Sequence, residues 1–104
     1  IGRSDASVVA ALADVVAHGT GEGRWRALRA LAKLGPAAAP AVGVMAAALS
    51  DPDEKVRRES AIALDHVGPP AAAAVKALVA AEHDAVPEVR EAAQRALRTI
   101  TASQ

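Results

Sequence analysis

The chain repeats itself every 33 residues, and few sequence features constrain a fold more tightly. Written from Arg24, "RWRALRALAKLGPAAAPAVGVMAAALSDPDEKV" aligns without a gap on "RRESAIALDHVGPPAAAAVKALVAAEHDAVPEV" written from Arg57. Gly35-Pro36 falls on Gly68-Pro69, Ala30-Leu31 on Ala63-Leu64, Met45 on Leu78, Asp51 on Asp84 and Val56-Arg57 on Val89-Arg90. Ala96-Leu97 and Ile100 continue the columns forward, while Val9, Leu12 and Val16 stand in the columns of Val42, Met45 and Leu49. A fixed period of roughly 20–50 residues marks stacked units, each too small to bury its apolar face alone.

Each unit reads as two helices. The first type carries small or apolar residues on one stripe, Val56, Ser60, Ala63, Leu64 and Val67, at the spacing of a single helix face. It stops at Gly-Pro, because proline lacks an N–H and disfavours helix in the residue before it. The second type ends in "SDPDE" or "HDAVPE", where Asp and Pro supply start signals for the next helix. The pattern predicts six helices, at about Asp5–Ala17, Gly23–Leu34, Ala38–Leu49, Glu54–Val67, Ala71–Glu82 and Pro87–Thr101. Connections this short force neighbours antiparallel. The expected fold class is all-α, an α-solenoid of stacked antiparallel helix pairs, with units at about 1–22, 23–55, 56–88 and 89–104. The chain opens on Ile1 and shows no obvious cap at either end. It therefore reads as a piece of a longer polypeptide, or as a stack whose open ends pair with another copy.

The residues "D…VR…A…AL…VGP" from Asp51 to Pro69 and "D…VR…A…AL…I" from Asp84 to Ile100 resemble HEAT repeats, in the short bacterial form shared with phycobilin-lyase-like proteins. The resemblance implies a ladder between successive repeats, made by a loop Asp and the Arg six residues later. Carried over by position, Asp51 goes with Arg57 and Asp84 with Arg90. His18 stands in the Asp column of the first unit, so Arg24 is expected to lack a ladder partner. A tetrapyrrole lyase or chaperone-like role follows from the subfamily likeness alone. It would need polar or acidic groups facing a pocket, which the second-type helices lack.

Composition narrows the function further. Twelve basic and twelve acidic side chains cancel, so no bulk field draws the chain to nucleic acid or to an anionic membrane. Cysteine is absent, which removes disulfides, thiolate nucleophiles and Cys-based metal sites. The richest apolar stretch, Ala37 to Leu49, is interrupted by Pro40 and Gly43 and is too short to span a bilayer. With no signal-peptide pattern at the start, cytoplasm is the default expectation. The three histidines, His18, His66 and His83, fall at helix ends that do not converge, so no metal or other cofactor is expected. No serine has a histidine at a recognisable catalytic spacing. The carboxylates alternate with arginines, as in "DEKVRRE", the pattern of a solvated, salt-bridged face.

The segment "GTGEGRWR" from Gly19 to Arg26 suggests a phosphate cradle, since glycines and a helix start can wrap an anion. The 33-residue register places it at the ordinary connector between units, with a helix rather than a strand before it, and the fingerprint needs a strand. The expected activity is therefore non-catalytic protein–protein interaction or scaffolding, with a protein or peptide partner. Two surfaces offer contacts. On the first-type helices these are Trp25, Arg26 and Arg29, where Trp25 occupies a column held elsewhere by Arg58 and Glu91 and is either an exposed anchor or a locally buried ring. On the nearly uncharged second-type helices they are Val44, Ala47 and Lys76, a smooth wall suited to an apolar helix. DNA binding by Arg24, Arg26, Arg29 and Lys33 is the alternative. A basic stripe repeated across all units, which DNA would favour, is missing.

Overall fold

The computed structural model describes residues 5–102, and among these residues all regular structure is helical. Six α-helices follow in order: α1 (Asp5–His18), α2 (Glu22–Leu34), α3 (Val42–Ala48), α4 (Glu54–Val67), α5 (Val75–Ala81) and α6 (Pro87–Thr101). Helices α2, α4 and α6 pack side by side as one layer, and α1, α3 and α5 form the second layer against it. The result is an α-solenoid of antiparallel pairs with principal extents of 42 × 34 × 17 Å. Two helix axes about 8–10 Å apart, each with a Cα radius of about 2.3 Å, fill the thin dimension.

The second-type elements differ from the sequence expectation. Helices were expected over Ala38–Leu49 and Ala71–Glu82, but each element begins as a 3-10 helix, Gly35–Ala41 ahead of α3 and Pro69–Ala74 ahead of α5. Pro40, inside the first segment, cannot donate the bond an α-helix needs there, whereas Pro36, Pro69 and Pro70 open their segments, where no intrahelical N–H is required. The tighter helix eclipses residues three apart. In the first segment that lines up Ala38 with Ala41, while the second is kinked at Ala71 (φ −88°, ψ 18°); Ala38, Ala41, Ala71 and Ala74 are all buried in the core. Small side chains at these points let the two layers approach closely.

What turns the chain from one layer into the other is a glycine. Gly35 has φ 60° and ψ −135°, and Gly68 has φ 76° and ψ −149°. Each precedes a proline, which excludes the α basin, and this backbone region is nearly closed to residues with a Cβ. The same break divides the long helical run Glu22–Ala48, which is apolar enough by length and composition to cross a bilayer. Leu28, Leu31 and Met45 of that run are buried within the core cluster instead.

The core follows the columns of the repeat. Val56, Ser60, Ala63, Leu64 and Val67 are all buried, as are Leu28, Leu31, Val89, Ala93, Ala96 and Ile100 on the flanking first-type helices. Ser60 is the exception in kind, since its Oγ is buried without a hydrogen-bond partner. Its column holds Ala27 and Ala93. A buried hydroxyl left unpaired costs about 1–3 kcal/mol, so Ser60→Ala is expected to stabilise the chain by about 1 kcal/mol, read as a higher urea midpoint. A lower midpoint would show that the hydroxyl has a partner after all.

Candidate interaction site

The loops between units are built around carboxylate–guanidinium pairs. Arg57 donates from Nε and Nη2 to the two carboxylate oxygens of Asp84, at 2.8 and 3.1 Å, and from Nη1 to the carbonyls of Asp51 and Pro52 in its own loop. Arg90 repeats the second half of that pattern, donating from Nη1 to the carbonyls of Asp84 and Ala85. The side-chain pairing expected between each loop Asp and the Arg six residues on, Asp51 with Arg57 and Asp84 with Arg90, is therefore corrected. The Arg that follows one loop reaches the Asp of the next loop along, because its own loop presents carbonyls while the following loop presents a carboxylate. Arg24 is corrected with it: its Nη2 lies 2.6 Å from Asp51 Oδ1 and its Nε donates to the Val16 carbonyl. His18 leaves no gap, since Arg24 needs a carboxylate only from the next loop along.

Each Asp also accepts from a backbone N–H two residues on, Asp51 from Asp53 and Asp84 from Val86, both at 2.9 Å. The Arg57 hydrogen bond holds Asp84 below its ordinary pKa against the opposing effect of burial. Burial pushes Asp51 up, but the hydrogen bonds from Arg24 and the Asp53 N–H, with the charges of Arg24 and Arg57, outweigh it and lower the pKa. A carboxylate with a depressed folded pKa contributes stability above its unfolded value of about 3.9 and loses it as pH falls through the folded value. The chain is accordingly expected to hold its urea midpoint from neutral pH to about pH 5 and to weaken below about pH 4. Asp51→Asn with Asp84→Asn should flatten that acid limb.

The opening glycines of "GTGEGRWR" serve the joint between α1 and α2. Gly19 donates its N–H to the Val15 carbonyl at 2.8 Å, and a Cβ there would sit 2.5 Å from that same oxygen. Helix α2 then starts at Glu22, with Arg26 paired to it at 3.0 Å. Trp25 is half-buried and packs against the core cluster. Three cations surround its ring: Lys55 of α4 at 4.1 Å from the centroid, Arg29 at 4.7 Å and Arg26 at 5.4 Å. The indole thus bridges α2 and α4.

Sequence reasoning missed Glu59. It was read as part of a solvated charged face, yet its side chain is only 4% exposed, with Arg29 at 3.4 Å and Arg58 at 3.7 Å. Its column gave no clear signal, since it holds exposed Arg26 one unit back and half-buried Ala92 one unit on. Arg29 crosses from α2 to cover it.

The opposite surface, on α1, α3 and α5, has another character. Ala10, Ala11, Gly43, Ala47 and Ala80 are exposed on it, and among the described residues the exposed large hydrophobics, Val15 and Val79, both lie here. Val44 is half-buried and shares a shallow cleft between α1 and α3 with Val16, Gly43 and Ala47. Lys76 stands exposed on α5. Among the described residues no three His, Asp or Glu side chains converge as metal ligands.

A family model described as HEAT repeats matches residues 4–98 of the chain. No curated protein matches it.

Proposed function

The chain belongs to the HEAT-repeat family, whose members generally bind other proteins, and we propose that it is a non-catalytic module that docks an amphipathic helix of a partner protein on the face of α1, α3 and α5. The asymmetry of the two layers carries this reading. The α2, α4 and α6 surface is charged, with Arg26, Arg29, Lys33, Lys55, Arg58, Glu88, Glu91 and Arg95 exposed, whereas the exposed positions of α1, α3 and α5 are mostly Ala, Gly and Val, with Ser7, Asp14, His18 and Lys76 as the polar ones. A surface of small side chains lets a helix backbone approach closely, and burying the apolar stripe of that helix supplies about 25 cal/mol per Å². Val44 and Ala47 form the floor. Lys76 would pair with a carboxylate flanking the partner's apolar stripe, fixing its direction more than its affinity.

The test is selection from a displayed library of helical peptides against the full chain. Selected peptides should share an apolar stripe at helical spacing and bind at least about tenfold more weakly to Ala47→Glu and to Val79→Glu, each of which places a charge against that stripe. Arg95→Glu on the other layer should leave them unaffected. Peptides insensitive to both face variants, but lost on Arg95→Glu, would place the binding surface on the wrong layer.

A further inference from the structure

The cationic cluster around Trp25 is a distinct feature, and it does not depend on the face proposed above. All three cationic groups lie within 5.4 Å of the one ring centroid. Arg26 is compensated by Glu22 and Arg29 by Glu59. Among the described residues Lys55 has no carboxylate within salt-bridge distance. Its ammonium is held by the indole face alone, an attraction of only about 0.5–1 kcal/mol when exposed. Lys55 is therefore the cation of this cluster without a direct ion pair, at the seam where two units meet, with Glu54 and Glu88 lining the same shallow cleft.

The same positions one unit on show that this is not a general property of the stack. The columns of Trp25, Arg26, Arg29 and Lys55 hold Arg58, Glu59, Ile62 and Glu88 at the next seam. Two of the cations become carboxylates and the third becomes apolar. The positive site is confined to the α2–α4 seam and is bordered along the solenoid by Glu88 and Glu91 on α6. A long polyanion such as duplex DNA would run from the favourable seam into those carboxylates. A short acidic segment of a protein would not.

We propose that the Trp25–Arg26–Arg29–Lys55 cluster is a second docking site, which takes an acidic, Asp- or Glu-rich extended segment of a protein. A carboxylate over the seam would bridge Lys55 and Arg29, while an aliphatic part of the segment rests on the exposed part of the indole. Trp25 is the single tryptophan of the chain, so its emission reports on this site alone. The experiment titrates the full chain with octaglutamate at low ionic strength, with octaglutamine as the uncharged control and octathymidylate as the phosphate probe. Octaglutamate should give a saturable change in Trp25 emission that fades with added salt. Octaglutamine should give none, and octathymidylate should bind more weakly. Lys55→Gln, at an exposed position and checked for fold by circular dichroism, should weaken octaglutamate about fivefold, whereas Ala47→Glu on the opposite layer should leave it unchanged. The site is overturned if octaglutamate gives no emission change at low salt, if Lys55→Gln binds it as the unaltered chain does, or if octathymidylate binds more tightly.

Discussion

Arg57→Ala is expected to lower the unfolding free energy by about 3 kcal/mol, the low end of what breaking a buried ion pair costs. One side chain holds four acceptors on two loops: both oxygens of Asp84, and the carbonyls of Asp51 and Pro52. The two side chains are 16% and 10% exposed, so removing the guanidinium strands a carboxylate that water reaches poorly. The low end of the range applies because some water does reach it. Arg57→Lys keeps the charge but loses the planar fork, and is expected to recover less than half of the loss. Arg90→Ala is the internal comparison. Among the described residues Arg90 bonds only carbonyls of its own loop, so its removal should cost about 1 kcal/mol, the net worth of a charge-assisted bond at a partly exposed site. Urea denaturation followed by circular dichroism reads all three. Equal effects for Arg57→Ala and Arg90→Ala would mean that the bond to the next loop's Asp84 contributes nothing beyond the bonds to the residue's own loop.

Gly68→Ala is expected to cost about 2 kcal/mol, although the new methyl would touch nothing. A Cβ on Gly68 has no heavy atom within 4 Å, so the cost is wholly in the backbone. With φ 76° and ψ −149°, alanine would be held in a region essentially reserved for glycine, at about 1–3 kcal/mol. It could not relax toward the α basin, because Pro69 follows. Gly43→Ala provides the opposite sign. Gly43 lies in α3 with negative φ and open space around its Cβ, so alanine there should stabilise by about 0.5–1 kcal/mol through helix propensity. If both substitutions destabilise alike, the cause is crowding rather than backbone geometry.

The period made most of the fold legible, and its limits are physical. Columns 33 residues apart identify which positions are equivalent, and the first-type helices were read to within a residue or so of their observed ends. Equivalence does not say which equivalent residues touch. Asp51 and Arg57 recur as a set, so pairing across one loop and pairing between successive loops leave the same trace in sequence. The carbonyls of the Asp51–Pro52 loop, which occupy one nitrogen of Arg57 and leave the other two for Asp84, are invisible there. The prolines that open the second-type elements were visible, but only as stop signals for the preceding helix. The 3-10 start of the following turn belongs to backbone bonding rather than to apolar pattern. Glu59 was hidden because its cover, Arg29, comes from the neighbouring unit. Trp25 stood out as an apolar residue in a charged column, yet half of its ring is accounted for by reach. An indole is long enough to lie across the seam onto α4, where a shorter side chain would have stayed in water.

Amide chemical-shift mapping of the full chain with a selected helical peptide tests most directly which layer a partner occupies. Docking on the smooth face predicts that the largest shifts fall on α1, α3 and α5, centred on Val44, Ala47 and Lys76, with those of Arg58 and Arg95 near zero. Shifts concentrated on α2, α4 and α6, with Ala47 and Val79 unmoved, would contradict it.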